Sequence, residues 1–247
     1  MRQETSKLTT FVVSASADVT LFVATIVCAV LALLTGWLPP RGNWTYRFAR
    51  LWSRWMMLGA WSKVGSEFEE PLDPQQGYVF LANHQSLYDI PALIRGIPGQ
   101  ARFLAKKSLF RIPIFGWALA MGGFVPVDRS DRKASQETFR IAVERLQAGN
   151  SLVIFPEETR SRDGELLPFK RGGVLLALKT GYPIVPVGID GTLEMRHRDS
   201  MLAVRPGRVR VRYGKPIDVS GWEVSRSQDL QERVRAEIER LKSSLDS

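Results

Sequence analysis

Asn83-His84-Gln85-Ser86-Leu87-Tyr88-Asp89 carries the residue types for proton transfer, and it follows the apolar run Tyr78-Val79-Phe80-Leu81-Ala82. His84 is one of only two histidines in the 247 residues. An imidazole accepts a proton near neutral pH, and a carboxylate beside it fixes its tautomer and stabilises its cation. One imidazole and one carboxylate in a loop after a buried strand therefore suggest a general base and its orienting partner. Any His and Asp at this spacing would match, so the weight falls on a second polar cluster far downstream, Phe155-Pro156-Glu157-Glu158-Thr159-Arg160-Ser161. The competing reading of the first stretch is a plain helix start, with Ser86 and Asp89 as a capping box and His84 incidental.

Spacing limits how the pair can meet. Residues five apart on an ideal helix differ by about 140° in direction, so His84 and Asp89 cannot touch inside one regular helix. Pro91 suits a first helical turn. A helix beginning near Ser86–Asp89 leaves His84 on the preceding loop, free to fold back onto Asp89. The elements around it read as a soluble α/β pattern after Gly65. Strands are expected at Tyr78–Ala82, Arg102–Ala105, Phe124–Val127, Ser151–Phe155, Ile184–Ile189 and Val209–Tyr213. Helices are expected at Lys133–Ala148, Gly172–Thr180 and Ser227–Leu245, the last with an apolar stripe on a charged helix. Alternating strands and helices predict an α/β fold, a mixed, largely parallel sheet flanked by helices. Glu67–Gln76 reads as the linker into it. Ligand sites in open α/β sheets collect beyond the carboxyl ends of strands, and both polar clusters sit there.

The chain carries a formal charge of +9, with 25 arginines against 9 lysines. Arginine suits phosphate because its planar fork donates two parallel hydrogen bonds. Charge by itself does not choose between nucleic acid, an anionic membrane and an anionic small substrate. Cys28 is the one cysteine, so neither an intrachain disulfide nor a cysteine-based zinc site is possible, and two histidines leave little for another metal. The N-terminal segment separates the partners. Val19 to Leu38 is twenty residues without a charge, about the length that crosses a ~30 Å hydrocarbon core. Pro39-Pro40 ends it. The stretch from Trp44 to Leu58 then mixes tryptophans with arginines, the composition of a helix lying in a membrane interface. A buried core helix followed by an amphipathic surface helix is the competing reading. Arg41, Arg47, Arg50, Arg54 and Lys63 follow the apolar run, which by the positive-inside bias places the rest of the chain on the cytoplasmic face of the inner (plasma) membrane. Tryptophan and arginine interleave mainly here, where a bilayer explains them better than nucleic acid does.

Asn83-His84-x4-Asp89 resembles the first motif of the glycerolipid acyltransferases, and three further blocks follow in family order. Lys106-x2-Leu109-x3-Pro113-x2-Gly116, running on to Asp128-Arg129, is similar to the second. Phe155 to Ser161 is similar to the third, usually FPEGTRS, and Val185-Pro186-Val187 to the fourth. The resemblance implies a membrane-attachment segment over residues 1–65 and an acyltransferase domain over residues 66–247. It implies transfer of a fatty acyl group from acyl-CoA or acyl carrier protein to the hydroxyl of lysophosphatidic acid, with no cofactor and no metal. His84 would be the base and Asp89 its partner, with the substrate hydroxyl in the place of a serine nucleophile. Ser86 lacks the G-x-S-x-G elbow of serine hydrolases and reads as helix-capping.

By the same resemblance Lys106, Arg129, Glu157, Thr159, Arg160 and Ser161 would bind substrate. Arg160 would grip the acceptor phosphate, and Glu157 would accept from a glycerol hydroxyl or hold Arg160. Lys106 and Arg129 would bind phosphate or a thioester oxyanion, or stand solvated. Lys170-Arg171-Gly172-Gly173 opens a helix whose N–H groups favour an anion. His197 reads as a solvated loop residue. Glu158 replaces the family glycine, a position where glycine would allow φ > 0 or close approach to phosphate. That departure keeps two alternatives open, another acceptor such as a lyso-ornithine lipid or a glycolipid, and an inactive acyltransferase-like lipid-binding module.

Overall fold

Strand alternation sorts the core into two layers. The computed structural model describes residues 7–39, 42–128, 132–196 and 203–244. Its strands are β1 (Lys63–Phe68), β2 (Val79–Ala82), β3 (Ala101–Lys106), β4 (Val125–Val127), β5 (Ser151–Ile154), β6 (Ile184–Asp190) and β7 (Arg208–Tyr213). Its helices are α1 (Lys7–Thr35), α2 (Asn43–Gly59), α3 (Asp89–Gly96), α4 (Phe115–Met121), α5 (Arg132–Gln147), α6 (Gly172–Thr180), α7 (Thr192–Met195) and α8 (Ser227–Ser243). Successive side chains of β2 point to opposite faces. Phe80 and Ala82 join the core that α2 and α3 cover, with Met57, Leu93 and Ile94. Val79 and Leu81 join the core under α5, α6 and α8, with Leu146, Leu176 and Ile238. Both faces of β2 are buried, which explains its continuous apolar run.

The strands form one sheet in the order β1-β7-β6-β2-β5-β3-β4. Neighbours are parallel throughout except β6 and β7, which run antiparallel. The sheet is therefore mixed and largely parallel, as the alternation of elements predicts. Helix α8 buries Leu230, Val234, Ile238 and Leu241 completely, a stripe at helical spacing. Each such side chain contributes about 1.5–3 kcal/mol by leaving water.

Two features differ from the sequence expectation. Strand β1 crosses the expected start of the domain and takes up the first two residues of the expected linker. Its register runs from Lys63 against Arg208 to Phe68 against Tyr213, and the Phe68 and Tyr213 rings stack at 4.4 Å. The segment KVGSEF hides itself because it is an edge strand exposed along most of its length, so it has no apolar run. The other difference is at the N-terminus. Helix α1 begins at Lys7, well before the uncharged stretch, and packs against α2, with Trp52 Nε1 donating to Thr25 Oγ1 at 3.0 Å. Small residues Ala17, Ala24, Ala29 and Ala32 line its buried side. On its other side Phe11, Val19, Phe22 and Leu34 are each more than 60% exposed. It is one helix long and apolar enough to cross a membrane.

Gly188 of β6 tests the packing of α8. A Cβ there would lie 2.7 Å from Lys242 N and 2.9 Å from Leu241 C, both backbone. Gly188→Ala should destabilise the protein by about 1–3 kcal/mol in denaturant unfolding. Gly65→Ala on β1, where a Cβ meets nothing within 4 Å, should stay within about 0.5 kcal/mol of the parent.

Candidate active site

The loop between β2 and α3 curls around one carboxylate. Asp89 opens α3 and is completely buried. Its Oδ2 accepts from His84 Nδ1 at 2.7 Å, from Gln85 N at 2.7 Å and from Ser86 N at 2.9 Å. Its Oδ1 accepts from the buried hydroxyl of Thr192, the first residue of α7. A buried carboxylate is tolerable only when hydrogen-bonded, and here four donors meet it. Pro91 sits in the first turn of α3, where a missing N–H costs nothing. His84 therefore stands on the loop, not on the helix, and folds back onto Asp89.

Three contacts fix His84 from other directions. Its backbone N–H donates to Glu157 Oε1 at 2.8 Å, its carbonyl accepts from Ser161 N at 2.8 Å, and its ring stacks on Phe155 at 4.0 Å between centroids. With Nδ1 on Asp89, Nε2 is the nitrogen left for a substrate hydroxyl. Neighbouring amides tie the loop to β6. Asn83 makes a paired bond with Ile189, Nδ2 to O at 2.9 Å and Ile189 N to Oδ1 at 2.7 Å. Gln85 Nε2 adds a second bond to Ile189 O at 3.0 Å.

Glu157 is buried, and its second oxygen accepts from Leu167 N at 2.9 Å. It clamps two backbone segments by their N–H groups, which ties it to the backbone of His84. Burial pushes its carboxyl above the usual range, against the pull of the two N–H donors and of His84. Ser161 is also buried, and its hydroxyl serves the loop, donating to Asp163 Oδ1 at 3.0 Å and accepting from Gly164 N at 3.0 Å. Thr159 is exposed and Arg160 half-buried on the same turn, two residues and one residue before the amide that bonds His84.

Lys106 ends β3 opposite Val127 and is exposed at the same carboxyl edge of the sheet. Its neighbour Lys107 pairs with Asp128 at 2.8 Å. Lys170 N donates to Pro156 O at 2.8 Å, tying the start of α6 to the turn after β5. Arg129 and His197 lie outside the described residues. Ser86 Oγ accepts from Tyr88 N at 3.5 Å, just before α3, and donates to Arg196 O at 3.0 Å.

Glu158 adopts φ of 59°, the left-handed region that the usual glycine enters without strain. A side chain there costs about 1–2 kcal/mol. The turn geometry thus persists although the residue has changed.

Thr192 is a site residue that the sequence hides. It lies 103 positions from Asp89, on a four-residue helix with no periodic signal. Thr192→Val removes one of the four donors while keeping the side chain's shape. It should lower kcat of any reaction that uses His84 by about tenfold and leave KM for the acceptor close to the parent value. Thr192→Ser should restore kcat, as steady-state kinetics would register.

Known proteins match this chain in both sequence and structure. The family model described as Acyltransferase matches residues 63–190. The chain is similar to the chloroplastic 1-acyl-sn-glycerol-3-phosphate acyltransferase LPAT1 of Arabidopsis thaliana, 35% identical over 187 residues, covering 75% of this chain and 52% of that protein. It is 31% identical to the 1-acyl-sn-glycerol-3-phosphate acyltransferase of Salmonella typhimurium over 183 residues, covering 73% of this chain and 74% of that one. The chain spans about half the length of the plant relatives it matches, 40% of the Brassica napus protein among them. A crystal structure of the 1-acyl-sn-glycerophosphate (LPA) acyltransferase from Thermotoga maritima superposes with a TM-score of 0.84 at 26% identity, covering 98% of both chains. On the fold, on the loop that holds His84 against Asp89, and on these relatives, the chain belongs to the acyltransferase family.

Proposed function

We propose that the protein is a membrane-associated acyltransferase that moves a fatty acyl group from a thioester to the free hydroxyl of lysophosphatidic acid, giving phosphatidic acid. The observation that carries this is the His84–Asp89 bond at 2.7 Å on a fully buried carboxylate. His84 Nε2 takes the proton of the acceptor hydroxyl as its oxygen attacks the thioester carbonyl carbon. The tetrahedral intermediate expels the thiolate, which takes the proton back from the imidazolium, so no protein nucleophile is acylated. Arg160 is positioned on the turn beside His84 to bind the acceptor phosphate by charge-assisted bonds. Acyl-CoA and acyl carrier protein supply the same thioester. The relatives are named 1-acyl-sn-glycerol-3-phosphate acyltransferases, and that supports the acceptor.

The membrane side follows from α1. Ser14 Oγ accepts from Val204 N at 2.9 Å, and Asp18 pairs with Arg196 at 3.7 Å. Near the other end Ala29 and Ala32 pack on Ala118 of α4. Ser14 and Ala32 are about 27 Å apart along the helix, so the domain covers one side of α1 over nearly the thickness of a ~30 Å hydrocarbon core. A spanning helix would lose those contacts. We therefore place α1 on its side in one leaflet, with Phe11, Val19, Phe22 and Leu34 toward lipid. We assign the catalytic domain to the cytoplasmic face by the positive-inside bias, since Arg47, Arg50, Arg54 and Lys63 follow the apolar run.

Glu158 beside Arg160 favours carrying one second reading, a lysolipid with a different head group. Mass spectrometry of purified protein with lysophosphatidic acid, lyso-ornithine lipid and a lysoglycolipid, each with both donors, separates the two. Transfer to lysophosphatidic acid is expected. His84→Ala should lower it by about 10²–10⁴-fold, and Arg160→Gln should raise KM for that acceptor by about 10- to 100-fold. Full turnover in His84→Ala would overturn the mechanism. Transfer only to the other lysolipids would overturn the acceptor.

A further inference from the structure

The N-terminus of α2 meets a group of arginines that no acid balances. Helix α2 has 17 residues, and it has neither an acidic residue in its first turn nor a side-chain cap. Its first N–H groups and the positive end of its dipole are therefore uncompensated. Arg102, the second residue of β3, is 2% exposed. Its Nη2 lies 3.1 Å from where a Cβ on Gly42 would stand, at the residue before α2.

A second glycine sits between two guanidinium groups. The atoms nearest to a Cβ placed on Gly123 are Arg145 Nε at 3.3 Å, Arg102 Nε at 3.5 Å and Arg145 Cζ at 3.5 Å. The two arginines therefore close on the Gly123 backbone, near enough that a side chain there would crowd them. Arg50 shares the neighbour Tyr46 with Arg102, the two Cζ atoms lying 5.3 and 5.4 Å from the ring centroid. Arg50 Nη2 donates to the carbonyls of Ile97 and Gly99, and Arg102 Nη1 to Ala101 O and Gln100 Oε1. Thr45, on the first turn of α2, is 5% exposed. Its Oγ1, with Arg50 Nε and Arg145 Nε, is buried and has no hydrogen-bond partner. Among the described residues none of the three arginines forms an ion pair with a carboxylate. Burial pulls the Arg102 guanidinium down to about 10, with Tyr46 opposing and the like charge of Arg145 adding to the fall.

Buried donors and like charges without a counterion are costly, and an oxyanion offsets both costs at once. We propose that this cluster is a binding site for a phosphoryl group, separate from the acyl-transfer site. Arg102 pairs in register with Leu152, which pairs with Val79. It therefore lies level with the start of β2, roughly 10 Å below the end of that strand, while His84 lies beyond the end. Several convergent N–H donors at a helix N-terminus suit phosphate. The neighbouring surface is apolar and open, with Leu34, Trp37 and Trp117 each more than half exposed, and Gly36 packs against Met121. That rim sets the site at the depth of lipid head groups, and a free phosphate offers the same chemistry.

The inference goes beyond the proposed activity, and its test involves no acyl transfer. The full chain in detergent, carrying Arg160→Gln to silence the acceptor site, is melted in rising inorganic phosphate against chloride at matched ionic strength. A saturable rise in Tm is expected. Adding Arg145→Met, or the isosteric Thr45→Val, should weaken it about tenfold or more. Co-sedimentation with phosphatidylcholine vesicles, with and without phosphatidic acid, identifies the source. A preference for phosphatidic acid that Arg145→Met removes assigns a lipid phosphate. Equal partition with the phosphate shift intact assigns the free ion. No shift above the chloride control, or the same shift in Arg145→Met and Thr45→Val, overturns the site.

Discussion

A carboxylate with no contact to water must be surrounded by donors, and Asp89 satisfies that demand with groups from two parts of the chain. Two are backbone amides of its own loop, one is the ring of His84, and one is the hydroxyl of Thr192 on α7. Leaving such a charge with a partner missing would cost several kcal/mol, so the loop has little freedom to rearrange. The imidazole is thereby oriented by the same bond that neutralises the buried charge. Stability and chemistry share one interaction.

The rest of the fold keeps that interaction in place. Parallel pairing puts the ends of β2, β5 and β6 side by side, so each can deliver a loop to the same edge. From β6, Ile189 holds Asn83 and Gln85 by its backbone. From β5, the turn delivers Phe155 to the face of the imidazole and Glu157 to its backbone. That turn requires a left-handed residue, and Glu158 accepts the strain. Helix α1 reaches the same region from outside. Its Asp18 pairs with Arg196, whose carbonyl holds Ser86. The long apolar helix thus touches the segment that carries Thr192 within a few residues of the buried carboxylate.

How much of this was legible in the sequence depended on distance along the chain. The pairing of His84 with Asp89 is local, and helix geometry alone required a loop before α3. Strands buried on both faces, such as β2 and β6, announce themselves by continuous apolar runs. Strand β1 does not, because only its pairing with β7 defines it. Thr192 is invisible for the same reason, being one hydroxyl among many until the fold carries it to Asp89. Residue type does not foretell the internal bonds of Glu157 and Ser161. Both read as substrate ligands in a polar motif, and both are buried and hold neighbouring segments of the chain. The arginines 50, 102 and 145 are spread over 95 positions, and nothing in their spacing foretells that they converge.

The central claim is that Asp89 holds His84 with its proton on Nδ1 and leaves Nε2 basic. Nitrogen-15 NMR of histidine-labelled protein reads this directly, and with two histidines a His197→Gln variant assigns the signals. In its neutral form, His84 should show a protonated Nδ1 bonded to a carboxylate and an unprotonated Nε2. A neutral ring protonated on Nε2 would contradict the account, because that nitrogen could not then accept a proton from an acceptor hydroxyl.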